Sequence, residues 1–262
     1  MHKILQGVLD LLYPPRCLFC QGRPGGDPAA ALRPLGLDTE EPERILCENC
    51  ARRAPWLVSC CPTCAYPAAK HSPVPVAARV PRSPATGRET CAWCAGRSFA
   101  FAACCALGAY SGELRRCIYR FKYRGEKALA GPLGDLLAAR LARMPWIQEV
   151  NRIVPVPLCR QRLGERGYNQ SLLLAARLSQ NLAIPLGREL ERVRETRSQI
   201  DLNRRQRREN LAGAFSCPAV LPENSHVLLV DDVLTTGATA HEGARALRQA
   251  GAASVRVAVV AR

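Results

Sequence analysis

No stretch of the chain limits its fold more than His226-Val-Leu-Leu-Val-Asp-Asp-Val-Leu-Thr-Thr-Gly-Ala-Thr239. Val227 to Val230 is an unbroken apolar run, the pattern of a parallel strand covered on both faces. Ala240, Ala244 and Leu247 then recur at helical spacing, and Gly251 supplies a C-terminal cap. Ser254 to Val260 reads as the next strand. Strand, turn and helix in this order belong to an α/β domain, and open sheets of that kind hold ligands at the carboxyl ends of their strands. Here that end carries two carboxylates followed by Thr235, Thr236, Gly237, Ala238 and Thr239. Turn N–H groups, three hydroxyls and a helix N-terminus together make a phosphate cradle. No lysine follows Gly237, so the motif is not a Walker A loop. Asp231 and Asp232 stand too near a bound phosphate to face it. They suit ribose hydroxyls or a hydrated Mg2+, and are expected in a solvent-facing ligand loop.

These residues resemble the signature of type I phosphoribosyltransferases, whose substrate is 5-phosphoribosyl-1-pyrophosphate (PRPP). The resemblance implies that fold, a mostly parallel sheet with flanking helices, for residues 106–262. It also implies that Asp231 and Asp232 hold the ribose, with Thr235, Thr236, Gly237, Ala238 and Thr239 on the 5′-phosphate. Ile153-Val-Pro-Val-Pro-Leu158 reads as a strand entering a tight loop, and Pro155, Val156, Pro157 and Leu158 resemble the pyrophosphate-binding loop of that fold. Next comes Cys159-Arg-Gln-Arg-Leu-Gly-Glu-Arg-Gly-Tyr-Asn-Gln-Ser171, a glycine-containing segment with Arg160, Arg162 and Arg166. On a mobile loop, Arg162 and Arg166 would fold over a leaving pyrophosphate and neutralise it; a solvated basic turn is the plainer alternative. The catalytic candidates are therefore Asp231, Asp232, Arg162 and Arg166. Leu174, Leu178 and Leu182 follow at helical spacing and read as core.

Cysteine dominates the other end. Four Cys-x2-Cys pairs stand at Cys17/Cys20, Cys47/Cys50, Cys61/Cys64 and Cys91/Cys94, with a 26-residue gap inside each successive couple of pairs. Two such turns complete a closed four-thiolate site of the structural kind, so about two Zn2+ ions are expected in a double zinc ribbon spanning residues 16–105. Sequential sites are the expected grouping, and crossed pairings stay open. Cys60, Cys104, Cys105, Cys117, Cys159 and Cys217 read as small buried hydrophobes. Both gaps are rich in Pro, Gly and Ala (residues 22–38 and 67–87) and read as flexible surface insertions with little core of their own. Residues 1–15 read as a short amphipathic helix. No run of 18 apolar residues spans a bilayer, and with no secretory signal the expected location is cytoplasmic, where cysteine pairs hold metal rather than disulfides.

Charge is uneven as well. The formal +15 divides into +4 over residues 1–105 and +11 over residues 106–262, and two zinc tetrathiolates would bring the first part close to neutral. A basic surface facing a polyanion therefore belongs to the second part. In Tyr110-Ser-Gly-Glu-Leu-Arg-Arg-Cys-Ile-Tyr-Arg-Phe-Lys-Tyr-Arg-Gly125, Leu114, Ile118 and Phe121 share a helical stripe, while Arg115, Arg116, Lys122 and Arg124 lie off it. Interleaved with Tyr119, Phe121 and Tyr123, those four cations suit single-stranded DNA; buried aromatics beside a solvated basic face are the equally simple reading. A second basic run spans Arg197 to Asn210.

Taken with the Pro-Val-Pro-Leu and Arg-Gly-Tyr-Asn-Gln segments, these features resemble the ComF family of competence proteins and its GntX-like relatives over nearly the whole chain. The resemblance implies PRPP with Mg2+ as ligand, and an accessory role in uptake of single-stranded DNA during natural transformation. Two alternatives accompany it: a true phosphoribosyltransferase with an unidentified acceptor, and a protein-interaction module whose zinc ribbons dock onto a DNA-uptake helicase or pore component.

Overall fold

The computed structural model describes residues 14–67, 90–194 and 210–262. Residues 1–13 of the expected N-terminal helix, most of the second Pro/Gly-rich stretch and residues 197–209 of the second basic run lie outside the described residues.

The cysteine-rich part carries three short helices, α1 (Pro28–Leu32), α2 (Pro42–Ile45) and α3 (Glu48–Arg53). Then follow β1 (Cys104–Gly108), α4 (Gly112–Tyr123), α5 (Ala130–Ala142), β2 (Arg152–Pro155), α6 (Arg160–Arg166), α7 (Gln170–Leu182), β3 (Glu191–Arg192), β4 (Phe215–Ser216), β5 (His226–Val233), α8 (Ala238–Gln249) and β6 (Ser254–Ala261). Strands β1, β6, β5 and β2 lie in that order in one all-parallel sheet. The two-residue strands β3 and β4 pair antiparallel apart from it.

Apolar residues on both faces of the strands make this a three-layer unit. One core joins Leu228, Val230, Ala258 and Val260 to α4, α5 and α7. The opposite core joins Val227, Leu229, Val257 and Val259 to Ala240, Ala244 and Leu247 of α8. Leu174 and Leu178 are fully buried, and Gly251 takes the left-handed conformation (φ +102°) just after α8.

Two sequence expectations change here. The first Pro/Gly-rich stretch has a core after all: Asp27 caps α1 by accepting from the Ala30 N–H (3.1 Å), Pro28 pre-sets the first turn, and Leu32 and Leu37 are buried in the cluster with Leu133 and Leu136. The sheet also starts earlier than a boundary after residue 105 implies. Cys104 and Cys105 are its first strand residues, one in each core.

Candidate functional site

Parallel register brings the candidate residues together. Pro155 pairs with Val230, and the Val156 N–H donates to the Val230 carbonyl (2.9 Å), so the loop leaving β2 runs beside Asp231. The Arg-Gly-Tyr-Asn-Gln-Ser segment closes that corner. Gly167 ends α6 in the left-handed conformation (φ +71°), and Asn169 caps α7 by accepting from the Ser171 N–H (3.0 Å). The Asn169 amide also donates to the Val156 carbonyl (3.0 Å). Ser171 Oγ then donates to Asp231 Oδ1 (2.9 Å), and Tyr168 Oη donates to the Phe121 carbonyl.

Asp231 and Asp232 do not lie in a loop. They belong to β5, because pairing with β6 continues through Asp231 and Val233 (to Val259 and Ala261), and Asp232 is only 7% exposed. Lys122 Nζ sits 2.7 Å from Asp232 Oδ1. Lys122 thus leaves the expected exposed basic face, where the structure keeps Arg115, Arg116 and Arg124. Burial works against its charge, but Asp232 more than offsets this and holds Lys122 above the usual lysine range. Burial, and then the neighbouring Asp232 carboxylate, push Asp231 up to about 7. The corner therefore holds two carboxyl groups at one internal cation.

The turn beyond β5 is built for close approach. Gly237 precedes α8 with φ +80°, and a Cβ there would lie 2.9 Å from Phe99 Cε1, so two constraints favour glycine. The N-cap position of α8 is Gly237, which offers no side chain, and Thr236 Oγ1 accepts from the Ala238 N–H at 3.4 Å. Thr235 is exposed, Thr236 is buried and Thr239 is half-buried. A cavity of about 310 Å³ opens beside the turn, lined in part by Phe99, Thr236, Gly237, Ala238 and His241.

The arginines expected on a mobile loop stand on a helix instead. Good helix formers on either side of Gly164, a Gln161 to Glu165 hydrogen bond (2.9 Å) and the Gly167 stop account for α6. Arg166 bonds Gln170 Oε1 (2.9 Å) and lies 5.0 Å from the Tyr123 ring centre; Arg162 is half-buried. On α4, Phe121 belongs wholly to the core, whereas Tyr119 and Tyr123 are 51% and 56% exposed with rings 5.1 Å apart. Arg116 pairs with Glu113 at 3.0 Å.

The cysteine pairs assemble sequentially into Cys17/Cys20/Cys47/Cys50 and Cys61/Cys64/Cys91/Cys94, with all four sulfurs of each set within 4.8 Å of one another. Four thiolates at about 2.3 Å from one tetrahedral ion stand about 3.8 Å apart. The structure has Cys20 to Cys47 at 3.9 Å, Cys61 to Cys94 at 3.7 Å, Cys64 to Cys91 at 3.6 Å and Cys91 to Cys94 at 3.8 Å. Both sets therefore fit a closed four-thiolate metal site. Hydrogen bonds from Cys64 draw the Cys61 thiol down to about 5 against burial. Away from the tetrads, burial pushes Cys105 and Cys117 up to about 12, as inert core thiols require.

Known proteins decide the family. The phosphoribosyl transferase domain family matches residues 169–262. The DNA utilization protein YhgH of Salmonella typhimurium is 32% identical over 216 residues, which cover 81% of this chain and 88% of that one. The chain belongs to the ComF family. Within it, Competence protein F of Haemophilus influenzae is 39% identical over 58% of this chain and 69% of its own, and Competence protein ComFC of Bacillus subtilis 28% over 55% and 58%. Among solved structures, a purine phosphoribosyltransferase from Pyrococcus horikoshii is similar at 21% identity, over 48% of this chain and 71% of that one, with a TM-score of 0.32, too distant to bear on the site. Among the described residues of this ComF-family chain, no helix is long and apolar enough to cross a membrane.

Three members of the site escaped the sequence reading: Lys122 on Asp232, Ser171 on Asp231 and Phe99 against Gly237. Only Ser171 had a signal, its place at the end of the Arg-Gly-Tyr-Asn-Gln run.

Proposed function

We propose that this ComF-family protein binds PRPP with Mg2+ at the carboxyl end of β5 and acts in the cytoplasm as an accessory factor that handles single-stranded DNA during its uptake. The observation that carries the reading is the acid pair Asp231/Asp232 at the end of β5, followed by a glycine turn into the N-terminus of α8. Carboxylates there suit a ribose diol, and the turn suits its 5′-phosphate. Mg2+ would be held on the diphosphate, where it supplies charge neutralisation, and Arg162 and Arg166 of α6 are the arginines proposed to assist it. Zn2+ in each cysteine tetrad would be structural.

Support for DNA comes from the names of the relatives, which concern competence and DNA utilization, and from α4. There Arg115, Arg116 and Arg124 neighbour two exposed tyrosines, a combination suited to backbone neutralisation and base stacking. PRPP then acts as a ligand that governs DNA handling.

Calorimetric titration with PRPP and Mg2+, beside fluorescence-anisotropy titration with single-stranded DNA at two salt concentrations, tests both halves. Saturable PRPP binding that Asp231→Asn/Asp232→Asn abolishes is expected, as is DNA binding that weakens with salt. Charge reversal at Arg115, Arg116 and Arg124 should weaken DNA and spare PRPP. A double Asn variant that binds PRPP like wild type overturns the ribose assignment, and DNA affinity untouched by the α4 reversals overturns the DNA face.

A further inference from the structure

One side chain joins the second cysteine tetrad to the phosphate-type turn. Arg262 donates from Nε to the Cys64 carbonyl (2.8 Å), and from Nη1 to the carbonyls of Leu234 (3.0 Å) and Thr235 (2.7 Å). Its guanidinium also lies 4.0 Å from the Trp93 ring centre and 5.3 Å from that of Tyr66. Trp93 stands between Cys91 and Cys94 in the second metal-binding turn and has Arg97 at 4.2 Å as well. A second route runs alongside. Trp93 stacks on Phe99 (6.1 Å, 9°), Phe99 rests against Gly237, and the Ala100 N–H donates to His241 Nδ1 (3.1 Å) on α8.

The charge of Arg262 meets only carbonyls and rings among its described partners, and its Nη2 is buried with no hydrogen-bond partner among the described residues. A half-buried guanidinium with one nitrogen shut off from solvent is stabilised by a neighbouring negative charge. A divalent ion on four thiolates carries a formal −2, and Cys64, whose carbonyl Arg262 holds, is one of the four. Metal in the tetrad would therefore fix Arg262, and Arg262 fixes the backbone on which Thr235 to Thr239 are strung.

We propose that Arg262 is a positioning residue through which metal occupancy of Cys61/Cys64/Cys91/Cys94 sets the geometry, and so the affinity, of the phosphate-binding turn. The proposal rests on reading that turn as the 5′-phosphate site. It makes the second tetrad part of ligand binding, whereas the first, at Cys17/Cys20/Cys47/Cys50, packs its Cys17 and Cys50 among core residues around α4 and α5.

Hydrogen–deuterium exchange on the full zinc-loaded chain reads the turn directly and needs no ligand. Emptying the second tetrad by Cys61→Ser/Cys91→Ser should speed exchange across residues 234–239 by about tenfold, the equivalent of one lost charge-assisted hydrogen bond. Arg262→Ala should do the same, and the combination should add nothing further. Arg262→Lys, which keeps the charge without the fork, should fall between, and Cys17→Ser/Cys47→Ser should leave the turn unchanged. Chelation of the Trp56→Phe/Trp146→Phe variant, followed by Trp93 fluorescence, gives the same comparison without cysteine substitution. Unchanged exchange on emptying the tetrad, or effects of Arg262→Ala and metal loss that simply add, would overturn the coupling. PRPP affinity should fall in parallel by about tenfold. If the exchange pattern holds while wild type binds no PRPP, the ligand assignment fails and the coupling stands; equal PRPP affinity in wild type and Arg262→Ala refutes the coupling alone.

Discussion

Replacing Lys122 by Met probes the ion pair at the heart of the site, because it removes the charge and keeps most of the side-chain volume. Lys122 Nζ lies 2.7 Å from Asp232 Oδ1, with the two side chains only 18% and 10% exposed. At that separation and an effective dielectric near 20, the attraction is about 6 kcal/mol before desolvation is charged against it. Breaking one partner of a buried pair generally costs about 3–5 kcal/mol, since the other charge is left stranded. Here the stranded group is Asp232 beside Asp231, so the cost should be largest where both would be ionised. Chemical denaturation at pH 8 should place Lys122→Met about 3 kcal/mol below wild type, with a smaller gap at pH 5. Adding Asp232→Asn to Lys122→Met should restore part of the loss, because no unpaired carboxylate remains at that position. A coupling energy below about 0.5 kcal/mol in the full double-mutant cycle is the size expected of an exposed pair. That result, or a double variant less stable than Lys122→Met, would refute the argument.

Two further outcomes follow from the same geometry. Asp231 has its folded value raised from 3.8 to about 7, so its contribution to stability is complete below pH 4 and is lost as pH rises toward 7; Asp231→Asn should flatten that part of a pH–stability profile measured by urea denaturation. Elemental analysis should find two zinc ions per chain, and their removal should disorder residues 16–66 and 90–95 selectively, which residue-resolved hydrogen exchange measures; a metal-free protein with normal protection there would dismiss the tetrads as metal sites.

Local patterns carried much of this architecture in readable form. The strand, acid pair, glycine turn and helix over 226–249 are adjacent in sequence, and each is chosen by short-range geometry: two-sided burial for Val227 to Val230, a positive φ for Gly237, a 3.6-residue stripe for Ala240, Ala244 and Leu247. Equal gaps favour sequential grouping of the cysteines, and the structure decides between that and the crossed pairings. What stayed hidden depends on distant partners. Ser171 meets Asp231 across 60 residues and Arg262 meets Cys64 across 198, separations at which no periodicity speaks. Lys122 shows a subtler limit: a helical wheel places it off the apolar stripe of α4, and being off the stripe meant solvent in the sequence reading, whereas tertiary packing put a carboxylate there. Asp231 and Asp232 read as part of a solvent-facing ligand loop beyond the strand, yet the β6 ladder extends through them.

Cys104 and Cys105 are neighbours in β1, and strand alternation sends their thiols into different layers, Cys104 toward α8 and Cys105 toward α5 and α7. The protein thus contains a matched pair of native chemical clocks, one residue apart on the chain and separated by the thickness of the sheet. Alkylation of each under native conditions counts how often its own layer opens to solvent. Equal rates would mean that the helices on the two sides part from the sheet as one cooperative body; unequal rates would rank the layers and identify the one that yields first.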